Sequence, residues 1–234
     1  EAEEENDLLG RKIGEPLWPE RGYDKQWLTE KKKEVGSQTW ASLYQQRPSP
    51  LGGSVIKRDW FKYYNALPNH FDEIIQSWDC TFKDADTSDF VVGQVWGKIG
   101  ADKYLIDMVR DRMGIVGTIQ AIRNISAKYP DAHVKLVEDK ANGTAVIEML
   151  KQEIYGIIPV QPEGGKMARL QAVAPQIEAG NVYIPAPTLH AWVHDFVEEV
   201  VTFPSYKWDD IVDSMSQALY RFEKAGTKIF LGRA

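Results

Sequence analysis

Ile74-Ile75-Gln76-Ser77-Trp78-Asp79 is the stretch on which the reading of this chain turns. It is a short apolar run that closes on a carboxylate, and it has a counterpart in His133-Val134-Lys135-Leu136-Val137-Glu138. Runs of that length and composition read as buried strands. An unpaired buried charge is expensive, so an acid that ends a buried strand needs a partner to offset it. A divalent cation is such a partner. Two further acids, Asp210 and Asp213, lie one helical turn apart at the start of an amphipathic segment.

Outward from that stretch, the pattern predicts strands over 74–82, 90–99 and 103–110. Their short polar or glycine-containing connections make them an antiparallel meander. Residues 114–129 carry Ile115, Ile119, Ile122 and Ile125 at helical spacing. There follow the strand ending at Glu138, a helix over 143–154, a strand over 157–160, and a helix over 166–179 with Gly180 as its C-cap. A brief extended piece at 182–184 and helices over 188–201 and 208–225 complete the core. A right-handed crossover must return the fourth strand parallel to a meander strand. The fold class is therefore α/β, a mixed sheet of an antiparallel three-strand meander plus parallel strands, with helices on both faces. Ligands collect beyond the carboxyl ends of strands in such sheets. If the first and fourth strands are neighbours, Asp79 and Glu138 emerge there side by side.

Residues 1–64 read as a linker or arm and 65–234 as the core domain. The arm opens on an acidic run, passes Gly14-Glu15-Pro16-Leu17-Trp18-Pro19, and becomes helix-like over 23–46, with Trp27, Leu28, Trp40, Leu43 and Tyr44 as packing residues. Arg47-Pro48-Ser49-Pro50-Leu51-Gly52-Gly53 ends it, because proline and glycine at that density cannot continue a helix.

Composition bounds the function. The 234 residues, 43% hydrophobic, suffice for one sizeable core. No apolar run approaches the ~18–20 residues of a membrane span, and no basic-then-apolar signal segment opens the chain. The single cysteine, Cys80, excludes an internal disulfide and a multi-cysteine zinc site, and fits a reducing compartment. A net charge of −6 argues against a strong free-standing nucleic-acid binder. It is compatible with a nuclease whose acids are neutralised by cations and whose substrate is held by something else.

Phosphodiester cleavage needs an activated water and a stabilised leaving oxygen. Two divalent ions roughly 3.5–4 Å apart serve both needs, and hard cations take oxygen ligands. Asp79 is the candidate bridge, Glu138 the ligand of one ion, and Asp210 with Asp213 the ligands of the other. At ~100° per residue, Ile211, Val212, Met215, Ala218, Leu219 and Phe222 share one apolar face and the two acids project opposite it. Two readings stay open for them: ion ligands, or solvated acids of a polar face with Asp209 or Asp210 as N-cap. Asp139 faces the opposite way to Glu138 on a strand; it stands as the substitute there, as Asp209 does for the helix pair. Lys140, Lys166 and Arg169 are candidates to meet DNA phosphates, against the plainer reading of solvated cations. His190 and His194, four apart, lack a third ligand and read as packing or surface residues. The run from Asp84 to Asp89 starts like a calcium loop but has Asp89 in place of the glycine and Val95 in place of the closing glutamate. Gly93-Gln94-Val95-Trp96-Gly97-Lys98 is too short for a P-loop.

Through Trp78-Asp79-Cys80-Thr81, Val137-Glu138-Asp139-Lys140-Ala141-Asn142-Gly143, Gly165-Lys166-Met167-Ala168-Arg169, Phe203-Pro204 and Trp208-Asp209-Asp210-Ile211-Val212-Asp213-Ser214, the chain resembles the carboxyl-terminal nuclease part of bacteriophage large terminase subunits. The likeness runs through residues 70–225, and residues 23–64 resemble the segment joining that family's motor to its nuclease. It implies a ribonuclease H-like fold and an endonuclease of low sequence specificity that cuts concatemeric viral DNA during genome packaging. The acidic cluster carries over to Asp79, Glu138 and Asp210 or Asp213, with two Mg²⁺ or Mn²⁺ ions as cofactors. Asp213-Ser214 stands where the family usually has Asp-Ala. The family's ATPase motor has no counterpart in these residues, so the resemblance implies an excised domain. The implied partners are double-stranded DNA, the terminase ATPase domain, the small terminase subunit and the portal, in the host cytoplasm and without a membrane. A junction resolvase or transposase-like nuclease, and a non-catalytic docking module, are the alternatives.

Overall fold

A computed structural model of the chain describes residues 1, 2, 7, 9–46, 55–80, 90–140 and 142–230, with backbone alone at 37, 38, 41, 142 and 225–230. At its centre is one sheet of β1 (Lys62–Tyr64), β2 (Glu73–Asp79), β3 (Val91–Ile99), β4 (Asp102–Asp111), β5 (Val134–Glu138), β6 (Ile157–Val160) and β7 (Val182–Pro185). The strand order is β1-β7-β4-β3-β2-β5-β6. β2, β3 and β4 form the expected antiparallel meander. β5 joins β2 in parallel, β6 joins β5, β7 joins β4 and β1 joins β7, again in parallel. Only β3 runs against the others, so β2, β4 and β5 end on one edge.

The described residues hold six α-helices, α1 (Lys25–Thr39), α2 (Ile115–Lys128), α3 (Asn142–Leu150), α4 (Lys166–Glu178), α5 (Val193–Thr202) and α6 (Asp210–Phe230), of which α1 packs on α4 and the others flank the sheet. Alternation along the strands assigns their sides. Ile75, Val92, Trp96 and Leu136 pack with Leu170 and Val173 of α4, Val197 of α5 and Met215 of α6. Trp78, Val95 and Val137 pack instead with Ile119 and Ile122 of α2 and Val146 of α3. Each such side chain, fully withdrawn from water, contributes about 1.5–3 kcal/mol. By the same parity Asp79 follows Ile75 and Glu138 follows Leu136, onto the face beneath α6. The parallel register pairs Trp78 with Val137, and its next step sets Asp79 beside Glu138. First and fourth core strands are parallel neighbours, which meets the condition the sequence reading left open.

The differences from expectation are local. β2 is seen to Asp79, and positions 81 and 82 of the predicted strand lie outside the described residues. So do the Asp84–Asp89 run and the Pro/Gly stop at 47–53. The arm helix is not continuous: Gly36 takes φ +75° inside α1, and the chain continues beyond Thr39 as a wider π turn, Trp40–Tyr44. A Cβ at Gly36 would lie 3.2 Å from the side chains of Glu178 and Pro175, so the arm packs closely on α4 there. The predicted helix at 188–201 begins only at Val193, after a turn-rich stretch. Residues 55–64, grouped with the arm by sequence, give Val55, Ile56 and Phe61 to the larger core cluster and β1 to the sheet edge. Three residues are too few to show a period of two, which hides β1 from a sequence reading.

Candidate metal centre

Asp79 from β2, Glu138 from β5 and Asp213 from α6 converge at the shared strand edge. Their ligand oxygens all lie within 4.8 Å of one another. The three residues are 2%, 7% and 4% exposed, which removes the solvated-face reading for Asp213. Asp210 is also buried, at 3%. It stands outside the trio, close enough to Asp79 to feel its charge.

The first turn of α6 is held by groups the sequence reading did not single out. Glu199 of α5, fully buried, accepts the N–H of Ile211 at 2.6 Å and that of Val212 at 3.4 Å. It caps α6, where the sequence had offered Asp209 or Asp210, and it pairs with Arg110 of β4 at 2.8 Å. Gln94 donates to the Ile211 carbonyl at 3.1 Å. Ser77 Oγ donates to the Ser214 carbonyl at 2.7 Å, and Ser214 Oγ donates back to the Ser77 carbonyl at 2.8 Å. That reciprocal pair pins β2 to α6 two residues before Asp79 and one after Asp213. A signal for Glu199 was present: an acid set among Phe196, Val200 and Phe203 on an otherwise apolar face. On the β5 side, Gly143 lets the start of α3 approach the strand end, since a Cβ there would fall 1.9 Å from the Glu138 carbonyl oxygen.

Electrostatics make the cluster costly without compensation. Two unit charges at such spacing repel by at least about 3.5 kcal/mol at an effective dielectric of about 20. Lys166 Nζ lies 2.7 Å from Asp213 Oδ2 and 2.6 Å from Asp209 Oδ1. Arg169 pairs with the other Asp213 oxygen, and Lys140 Nζ stands 3.4 Å from Glu138. Burial acts against the Lys166 charge, yet Asp213 and Asp209 outweigh it and raise its pKa. Asp210 has less such help: Lys166 favours its charge only weakly, and among the described residues its buried Oδ2 has no hydrogen-bond partner. Burial first, then the charges of Asp79, Glu199 and Asp209, push its carboxyl up to about 8. Burial pushes Glu199 up to about 7, against Arg110 and the two α6 amides. The buried Cys80 thiol is also raised, by burial and then by Asp79 and Glu138, so it is inert.

Three convergent carboxylates and an orphaned fourth oxygen form an all-oxygen donor set, which suits a hard divalent cation. The other sequence candidates lie apart. Asp139 accepts from Thr144 at 2.6 Å and Gln161 at 3.0 Å, and Asp209 is taken up with Lys166. His190 and His194 are exposed, His190 stacked on Trp192. A cavity of about 440 Å³ opens beside Glu138, Asp213 and Arg169, lined by Leu136, Ile158 and Tyr220 among others.

This meander with parallel additions on both sides, carrying its acids at the strand ends, is a ribonuclease H-like fold. The chain belongs to the terminase RNase H-like domain family, whose model matches residues 76–222. Among solved structures it is similar to the large terminase of a thermophilic bacteriophage in complex with ATP-γ-S, at a TM-score of 0.63 and 10% identity over 84% of this chain and 52% of that one. It is similar also to the large terminase nuclease of thermophilic phage G20c with bound cobalt, at a TM-score of 0.52 and 17% identity over 73% of this chain and 98% of that one. The large terminase nuclease domain of bacteriophage SPP1 with bound manganese gives a TM-score of 0.52 and 16% identity, over 71% and 98%. The chain thus spans about half the length of the longer terminases and nearly all of the isolated nuclease domains. A comparison with curated proteins found no match.

Proposed function

We propose that this chain is the nuclease domain of a phage large terminase, a divalent-metal-dependent endonuclease that cuts concatemeric double-stranded DNA during packaging. The observation that carries this reading is the convergence of Asp79, Glu138 and Asp213 from three distant segments into one buried all-oxygen cluster. Those three, with Asp210, would hold Mg²⁺ or Mn²⁺, as a pair of ions. Bound there, divalent ions supply a nucleophile at neutral pH and charge stabilisation for the leaving oxygen. Lys166 and Arg169, fixed beside Asp213, supply N–H donors where a phosphodiester carries negative charge. Lys140 does the same on the Glu138 side. Glu199, Gln94 and the Ser77–Ser214 pair keep the α6 acids from drifting, and Gly143 keeps the β5 acid in place.

Metal-bound nuclease structures among the similar proteins support the cofactor assignment. In this reading the terminase ATPase domain, the small terminase subunit and the portal are assembly partners in the host cytoplasm; similarity to about half of a large terminase in complex with ATP-γ-S supports the first of these. No described helix is long and apolar enough to cross a membrane. Incubation of the protein with supercoiled plasmid and Mn²⁺, beside Asp79→Asn, tests the reading. Nicked and linear products from the parent protein alone are expected. Equal products from both proteins, or none with any divalent metal, would overturn it.

A further inference from the structure

The flank of the site on the β3–β4 side holds a second group of residues that the metal chemistry leaves unused. Asp79 pairs across the sheet with Val92, and Val92 pairs with Arg110. Arg110 therefore stands two strand spacings from Asp79, about 10 Å, on the same face. Its guanidinium lies 4.3 Å from the Phe90 ring centre while it pairs with Glu199. Phe90 meets Trp208 edge to face at 5.2 Å. Arg112 sits over both rings, 5.0 Å from Phe90 and 5.4 Å from Trp208, and Lys207 Nζ lies 4.6 Å from Trp208. Arg112 and Lys207 are exposed.

These two cations differ from the others near the acids. Lys140, Lys166, Arg169 and Arg110 each have a carboxylate within 4 Å. Among the described residues, the side chains of Arg112 and Lys207 have aromatic partners and no carboxylate. In a chain of net charge −6 that is a local exception with a direction. An aromatic ring holds a cation in place without neutralising it, so the charge stays available and little side-chain freedom is lost when an anion arrives.

We propose that Arg112 and Lys207, braced on Phe90 and Trp208, form a phosphate-binding platform that holds the DNA backbone on the β4 side of the metal site. This rests on the nuclease reading above and names where that enzyme grips its substrate. The contact is to backbone, so it carries no sequence preference. It gives an acidic protein a local means of holding DNA.

The test measures binding of a labelled duplex by anisotropy in Ca²⁺ across a potassium chloride series. It uses the full chain and the variants Arg112→Gln, Lys207→Gln and the double substitution, with plasmid cleavage in Mn²⁺ assayed in parallel. Each single change is expected to reduce the slope of log affinity against log salt by about 0.9, and the double change by about 1.8. In cleavage, the loss should appear in KM, with kcat at saturating DNA within about twofold. An unchanged slope and KM in the double variant, beside a parent that binds and cleaves, overturns the platform and leaves the nuclease standing. A parent that never cleaves, with variants that still lose slope, sinks the nuclease and supports the platform. A parent that does not bind duplex at any salt overturns the platform as well.

Discussion

Asp210 carries the sharpest single-residue consequence, because its carboxyl is raised to about 8 while an unfolded aspartate titrates near 3.8. Between those values the folded chain keeps a proton that the unfolded chain has lost, so stability falls as pH rises through this window. The thermal midpoint of the metal-free protein, followed by circular dichroism, is expected to drop from pH 5 to pH 8. Asp210→Asn should flatten that dependence and raise the midpoint at pH 8; a midpoint that instead climbs with pH in the parent would contradict the burial argument. The same residue shows why site acids tend to oppose stability. Its unpartnered oxygen is tolerated while the carboxyl keeps its proton, and ionisation there calls for something positive beside it; that need is the functional signal.

At the scale of elements, the placement of α6 against β2 and α5 decides the site. Glu199→Ala removes the cap on α6 and leaves Arg110 in a largely buried position without its acid. Breaking a buried pair from one side costs about 3–5 kcal/mol, and urea unfolding should show a loss of that size together with weaker Mn²⁺ binding. Ser214→Ala deletes one of the two reciprocal bonds and leaves the other, so the expected cost is about 1 kcal/mol. Ser214 is not one of the converging carboxylates, so cleavage should survive that change. Gly143→Ala drives a methyl into the Glu138 carbonyl and must displace the strand end or the helix. A loss of about 1–3 kcal/mol is expected from overpacking, with metal affinity falling further because Glu138 moves; unaltered Mn²⁺ titration of this variant would refute the close-approach argument.

Across the whole molecule, the acids tie together segments far apart in the chain: the first meander strand, the fourth core strand and the last helix. A cation bound to all three links them only in the folded state, so it stabilises the entire domain. At about 100 times its Kd, such a ligand adds about 2.7 kcal/mol. Mn²⁺ should therefore raise the thermal midpoint of the parent and leave that of Asp213→Asn nearly unmoved, and equal shifts in both would argue for adventitious surface binding. The two core clusters, one on each face of the sheet, make this long-range coupling possible by holding the strand edge rigid.

Much of this was legible from the chain alone. The apolar runs closing on Asp79 and Glu138, the period of α2 and α6, and the order of strands and helices specify the meander, the parallel crossover and the sheet edge at which the strand acids emerge, because these follow from local periodicity and connection rules. Other features were not legible. β1 is too short to show a period, and Gly36 breaks a helix that propensity would continue. Asp210 and Asp213 look identical on a helical wheel, yet Asp213 joins the trio and Asp210 stands beside it. Glu199 shows in the sequence only as an acid on an apolar face, and its role as cap is set by Arg110 and the α6 amides around it. A sequence determines which way each side chain leaves its own strand or helix; which oxygens meet, which stay unpaired and which cations reach them depends on contacts between segments distant in the chain, and only the folded packing sets those distances.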